Sequence, residues 1–390
     1  MRIGLGLDIH DEKCAAFAVY AGGGRPKKNQ QEFLDEFNVL FQRVKTNPED
    51  MAKMIEYLDG HEVHVLIENS TIAHRVYRML SELGCNVLVA QSADLDRIVN
   101  SVKKNDDNDA RELAAYMRRR LHGEYEFAVC HIPSPDCMAR KELVRAVYID
   151  KIELANTKKR VRARIKIHGA DLRNYQDVSC PASLKQLKAT RDPYLCYQAR
   201  VMSDAKSRIE EATRLIDYYF GKEEDYTLLM TIPGIGPVMA GYLTTIIDGI
   251  DRFDRSSELE AYFGLVPKQH ASANSDPDCR TTHRGDRYAR EFLGYAVMAH
   301  IKHAPDSVVT HMWHRLKSRG KNHKKVLRAC SRKLLKVVWS VLKHRRPFTT
   351  DTNLLRLARG SAAEIESRLS ELEDAEVDEV CDSMEVSAKE

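Results

Sequence analysis

The sequence predicts an α/β unit built on a mixed sheet, followed by a mainly helical remainder (α/β plus α). Two observations support this. Apolar runs of strand length alternate with helical patterns over residues 1–132, whereas residues 133–350 read as long helices with apolar residues at helical or heptad spacing. A third observation, the length of 390 residues, exceeds what one compact core serves and divides the chain further. The expected divisions are residues 1–132, a helical hairpin or coiled-coil spacer over 133–222, a second globular unit over 223–350 and a tail over 351–390.

The elements follow in order. In Ile3-Gly-Leu-Gly-Leu-Asp8, alternation puts Ile3, Leu5, Leu7 and Ile9 on one face and Gly4, Gly6 and Asp8 on the other, so the Asp8 carboxylate projects from a face kept bare by glycines, expected to admit a ligand. A second strand is expected over Lys13–Tyr20, a turn at Gly22-Gly-Gly-Arg-Pro26, and a third strand over Phe33–Phe41. Then come a helix over Pro48–Leu58, the apolar run Val63–Ile67 ending at Glu68, a helix over Thr71–Leu83, a strand over Asn86–Ala90 and a helix over Arg111–Leu121. Three consecutive strands followed by strand and helix alternation suit a mixed sheet.

Pro133 and Pro135 interrupt the pattern, after which Met138–Ile167 reads as a long basic helix with Leu143, Val147, Leu154, Val161 and Ile165 recurring along it. A loop containing Gly169, Pro181 and Pro193 separates it from a second helix, Tyr197–Phe220, and the pair is expected to form an antiparallel hairpin. The next unit opens with Thr231-Ile-Pro-Gly-Ile-Gly-Pro-Val-Met-Ala-Gly-Tyr242, the pattern of a helix-hairpin-helix turn. Its Gly234 and Gly236 permit a tight turn whose amides can cradle a phosphate. Beyond it lie a polar loop, Gly264 to Ser275, and a basic cluster that includes Arg284, Arg287 and Arg290. A loop serine becomes a nucleophile only if a neighbour or metal takes its proton; His270 and His283 are near in sequence.

Charge is distributed unevenly. Residues 371–390 hold nine acids and one base, a balance of −8 within a whole-chain +4, so the first 370 residues carry +12. From Ser307 to Thr350 no Asp or Glu occurs while bases accumulate, among them Lys324, Lys325, Arg328, Arg332 and Lys333. An ordinary solvated face mixes both signs, so this segment points to a polyanion, with nucleic acid as the expected partner. The tail reads as a solvated extension. The nine cysteines show no C-x-x-C pair, which argues against a zinc ribbon or a disulfide framework. No apolar stretch reaches membrane-spanning length and no signal-peptide pattern opens the chain, so a cytosolic protein without a membrane partner is expected.

Asp8, Glu68, Asp106 and Asp109 are the candidate metal ligands. Asp106 and Asp109, three apart at a helix start, point the same way near its positive end. Crowded carboxylates repel unless a cation neutralises them, and hard oxygen ligands suit Mg²⁺ or Mn²⁺. Any one of them alone reads more readily as a turn or capping residue. Their joint order, Asp on a first strand, Glu after a later strand and paired Asp on a late helix, is that of ribonuclease-H-like metal sites.

These features resemble the IS110 type of transposase, which joins an N-terminal RuvC-like domain bearing a D-E-D-D set to a C-terminal domain bearing a functional serine. The resemblance rests on Gly6-Leu-Asp8, Ile67-Glu68-Asn-Ser70, Lys104-Asn-Asp106-Asp-Asn-Asp109-Ala110, Ile232-Pro-Gly-Ile-Gly-Pro237, Phe263-Gly-Leu-Val-Pro267, Arg284-Gly285-Asp286 and Arg332-Lys-Leu334, in family order. It implies a recombinase that cuts and rejoins DNA, with Asp8, Glu68, Asp106 and Asp109 as catalytic metal ligands and Ser272 as nucleophile. It also implies a structured non-coding guide RNA, donor and target DNA, and a dimer or tetramer. The family usually shows Ser-Gly where this chain has Ser272-Ala273, and Ser275 stands close behind as the alternative. Two rivals predict different products: a RuvC-like nuclease of branched DNA uses water and releases ends, and a non-catalytic nucleic-acid-binding regulator has no need of four acids.

Overall fold

The computed structural model describes residues 1–91, 95, 106–167, 177–266 and 285–350. The chain forms two compact units, the first Met1–Pro133 and the second starting at Ser134.

In the first unit a five-stranded sheet has the order β3-β2-β1-β4-β5, with β1 Arg2–Ile9, β2 Lys13–Tyr20, β3 Arg43–Lys45, β4 Glu62–Glu68 and β5 Asn86–Ala90. β1 runs antiparallel to β2, and β2 to β3; β1, β4 and β5 are parallel. Ile3, Leu5 and Leu7 pack on one side with Leu34 and Phe37 of α1 (Lys28–Leu40), Met51 and Met54 of α2 (Pro48–Tyr57), and Val76 and Leu80 of α3 (Ala73–Glu82). α2 begins where Pro48 presets the first turn and the Asn47 side chain accepts from the Asp50 amide at 2.8 Å. On the other side lies α4, Asp106–Leu121, whose Leu113, Tyr116 and Met117 pack with Leu66 of β4.

Two sequence expectations are corrected here. Phe33–Phe41 is not a strand: it falls largely in helix α1, and the third strand is the short Arg43–Lys45. Alternation there would have grouped Val39 with Phe37, yet Val39 is 78% exposed and Phe37 fully buried. Helical spacing instead brings Phe33, Phe37 and Phe41 together around Tyr57, with ring centroids 5.2, 6.0 and 5.4 Å from it.

The glycine face of β1, expected to admit a ligand, is filled by α4. A Cβ on Gly6 would stand 2.1 Å from the Ala110 carbonyl oxygen and 2.3 Å from the Ala114 amide nitrogen, so only glycine lets the helix lie this close. At Gly4 the nearest atoms are 3.4 Å away, an ordinary contact. Gly6→Ala is therefore expected to destabilise the protein by about 3 kcal/mol, because backbone rather than a movable side chain must shift, and Gly4→Ala by less than about 1 kcal/mol. Denaturant titration of the two variants checks the contrast.

The regular elements among the described residues of the second unit are all helices. α5 (Pro135–Ile167) and α7 (Pro193–Phe220) run antiparallel, as their ion pairs show: Arg164 meets Asp192 at 3.0 Å, Asp150 meets Arg208 at 3.4 Å, and Arg140 meets Glu223. The expected hairpin is thus present, with one refinement. Pro181 and Pro193 do not mark one uninterrupted loop; they start α6 (Pro181–Ala189) and α7, as first-turn residues. Val161, Ile165, Leu187, Ala199 and Met202 form the core at one end of the hairpin. Val144, Val147, Ile216 and Phe220 at the other end join the core of α8 (Glu224–Met230), α9 (Pro237–Ile247), α10 (Ser256–Tyr262), α11 (Arg287–His303), α12 (Val308–Ser318) and α13 (His323–Lys343). None of the described helices is long and apolar enough to cross a membrane, and none of the seven described cysteines is in a disulfide.

Candidate functional site

In the first unit the close fit of α4 on Gly6 sets the first turn of that helix beside the end of β1. Asp8 stands at that end, only 17% exposed. Parallel pairing sets Ile67 opposite Leu7, so Glu68, the next residue, reaches the same sheet edge. Asp106, Asp107 and Asp109 occupy the first turn of α4, where the helix dipole favours negative charge, and Asp109 is buried.

One further residue enters this cluster, His10, which the sequence reasoning missed. Its Nε2 lies 3.3 Å from Asp8 Oδ2 and 3.6 Å from Asp106 Oδ1, and the ligand atoms of Asp8, His10 and Asp106 all fall within 4.8 Å of one another. The available signal was position: His10 lies two residues beyond Asp8, the spacing of one strand face. Neither Glu68 nor Asp109 is in that tightest group, although Asp109 is near enough to act on Asp8 electrostatically. Arg43 of β3 closes one side, its guanidinium bridging Asp106 and Asp107 at 2.9 Å each, while Gln42 donates to Asp107 at 2.9 Å. Burial pushes the Asp8 carboxyl above its ordinary pKa; His10 opposes this, and the charges of Asp106 and Asp109 add to it. Two carboxylates and an imidazole with converging donors fit a divalent cation. Asp106 has one oxygen toward His10 and the other on Arg43, so one oxygen faces the candidate position.

In the second unit the turn between α8 and α9 contains Gly234 at φ +89°, where a Cβ would meet His300 N at 2.6 Å and Ala296 O at 2.7 Å. That glycine therefore seats α11, and His300 Nδ1 lies 2.7 Å from the Pro233 carbonyl oxygen. Gly236, the residue capping α9, has open space where a Cβ would point. Asp286 caps α11 through the amides of Tyr288 and Ala289, accepts from the Tyr242 hydroxyl at 3.0 Å and meets Lys141 at 3.3 Å. Burial alone would raise its pKa, but Lys141, Tyr242, the Ala289 amide and Arg145 outweigh it and hold the carboxyl below the usual range.

Lys324, Lys325 and Arg328 are exposed on α13, Arg332 and Lys333 half-buried, and Arg287 and Arg290 lie in the first turn of α11. The later part of the acid-free segment is compensated within the fold, since Lys343 meets Asp251 at 3.6 Å and Arg345 pairs with Asp225. On α5, likewise, Arg140, Lys141, Arg145, Lys158 and Arg164 all pair with carboxylates. Arg284, Ser272, Ser275, His270, His283 and the acidic tail lie outside the described residues.

Residues 226–310 match the family described as Transposase IS116/IS110/IS902 family. The chain is 29% identical over 128 residues to the transposase for insertion sequence element IS1111A of Coxiella burnetii, covering 32% of this chain and 35% of that protein. It is 26% identical over 242 residues to the transposase for insertion sequence element IS1328 of Yersinia enterocolitica, covering 59% and 68%. A pilin gene-inverting protein of Moraxella lacunata is 31% identical over 124 residues, covering 31% and 38%. The first and third of these matches thus span little more than a third of the relatives' own length. Taken together, the match over residues 226–310 and these relatives support an IS110-family transposase.

Proposed function

We propose that this protein is a DNA transposase that cuts and rejoins strands by metal-assisted transesterification with a serine nucleophile, guided by a structured non-coding RNA. The observation that supports it most is the gathering of Asp8, His10 and Asp106, with Asp109 beside them, at the edge where β1 and β4 end. The sheet order β3-β2-β1-β4-β5, antiparallel through the first three strands and parallel beyond, supports a RuvC-like reading of residues 1–132. The α8–α9 turn, with Gly236 facing open space, supports a helix-hairpin-helix reading in which amides meet a phosphate. The names of the relatives, transposases and a gene-inverting protein, support DNA as the substrate.

In this reading Asp8, Glu68, Asp106 and Asp109 would hold Mg²⁺ or Mn²⁺, which would supply charge neutralisation at the scissile phosphate. The oxygen of Ser272 attacks the phosphorus and gives up its proton. The phosphodiester P–O bond to the leaving strand breaks, and that oxygen takes up a proton. A hydroxyl of the second strand then attacks the phosphoserine, releasing the serine and restoring a phosphodiester. Placing carboxylates and serine on separate parts of the chain suits a homodimer or tetramer working on donor and target DNA in the cytoplasm.

The test is a strand-exchange assay with purified protein, its co-purified RNA and donor and target DNA. Joined product is expected with Mg²⁺ and none in EDTA; cut ends without joining would overturn the recombinase reading in favour of a nuclease. Binding is tested separately. Replacing Lys324, Lys325 and Arg328 together by Ala is expected to flatten the log affinity against log salt slope for duplex DNA by about 2 to 3, similarly across sequences. An unchanged slope would show that this face does not meet phosphates.

A further inference from the structure

A groove of about 650 Å³ runs along the second unit between α11 and α13. Its lining combines two chemistries. Leu265, Met298, Leu327 and the exposed Tyr295 give it an apolar side; Arg287, Arg290, Lys324 and Arg328 surround that side with positive charge. Among the described residues the one carboxylate in its wall, Glu291, is engaged by Arg287 at 3.2 Å and the Tyr148 hydroxyl at 3.2 Å. Neither Lys324 nor Arg328 has an ion-pair partner among the described residues. The bases also crowd one another. Burial lowers the Arg290 pKa, Asp286 and Glu291 oppose this, and the charges of Arg287 and Arg328 add to the lowering. Such crowding is relieved by a bound anion.

Duplex backbone contacts require charge but no apolar recess, and a purely apolar ligand would not require four bases. Charge beside an exposed aromatic ring is the combination that receives an unpaired nucleotide, whose base stacks while its phosphates are neutralised. Tyr295 is 66% exposed, so a base that covers its ring removes apolar surface from water, which favours binding. It also lines a second cavity of about 440 Å³, together with Lys151, Lys159, Gly234, Gly236 and Pro237. The ring is thus a ridge between two grooves, each with bases.

We propose that this groove binds an unpaired nucleotide segment, with one base stacked on Tyr295 beside Leu265, Met298 and Leu327 and the flanking phosphates on Lys324 and Arg328. The assignment rests on the nucleic-acid reading above and adds to it a site for single strands. DNA and RNA share the required chemistry, and the test separates them.

The test uses the full-length protein with 12-nucleotide single-stranded DNA and RNA carrying a central 2-aminopurine, and a duplex of the same sequence. Tyr295→Ala is expected to weaken single-strand binding about tenfold, with Tyr295→Phe near wild type, because stacking needs the ring and not the hydroxyl. Stacking predicts quenching of 2-aminopurine by wild type and Tyr295→Phe and its loss in Tyr295→Ala, while the salt slope and duplex affinity stay unchanged. A larger loss on RNA assigns the site to a guide, and a larger loss on DNA to an opened substrate strand. Duplex binding intact with single-strand affinity and quenching indifferent to Tyr295→Ala would overturn this proposal alone. Failure of the wild-type protein to bind either form would overturn both it and the nucleic-acid reading.

Discussion

Asp8→Asn is expected to lower strand exchange on the order of 10³-fold, through loss of the electrostatic stabilisation that its charge supplies at the scissile phosphate. The substitution keeps the volume of a side chain that is 17% exposed, so the fold should survive. Nucleic-acid affinity should change little, since affinity rests on phosphate neutralisation by the separate bases of α11 and α13. Asp106→Asn and Asp109→Asn should act in the same direction, as should Glu68→Gln at the end of β4. Asp8, whose carboxyl is surrounded by His10, Asp106 and Asp109, should also show the clearest loss of Mn²⁺ binding by calorimetry. Strand exchange at wild-type rate in Asp8→Asn, or unaltered Mn²⁺ affinity, would refute the metal assignment.

Several elements were legible because local chemistry and the fold agree. The alternation of β1, the strand Asn86–Ala90 and the hairpin of α5 and α7 follow from apolar period alone. The candidate acids were legible through their order, since a strand end and a helix start are the places where a sheet and a covering helix can bring carboxylates together. What period could not show was what fills a bare face. The glycines of β1 signalled close approach by something, and only the three-dimensional packing identifies it as the backbone of α4 at Ala110 and Ala114. Phe33–Phe41 misled because a run with apolar residues at nearly every second position also satisfies i, i+4, i+8 spacing, and burial against Tyr57 decided between them. His10 and Arg43 escaped notice because their role depends on α4 arriving from more than sixty residues downstream. Likewise, spacing could not show that Arg140, Lys141 and Arg164 of the basic helix α5 are paired, because their carboxylates come from the two ends of α7 and from the cap of α11.

The serine prediction separates recombinase from nuclease. A serine that attacks phosphorus leaves the protein covalently joined to DNA whenever the rejoining strand is missing, so a nicked substrate that loses its acceptor should trap a protein–DNA adduct stable to denaturation. Ser272→Ala is expected to abolish that adduct and the joined product together, a loss at least as large as that in Asp8→Asn, while binding persists because bases and carboxylates are untouched. The order of events makes the pair of variants informative. Asp8→Asn blocks the step at phosphorus and so should also prevent the adduct, whereas removal of the acceptor strand should let it accumulate. An adduct that survives Ser272→Ala and disappears in Ser275→Ala would move the nucleophile by three residues and keep the chemistry. Cutting that proceeds in both variants with no adduct at any time would make water the nucleophile, and the four acids would then belong to a structure-selective nuclease.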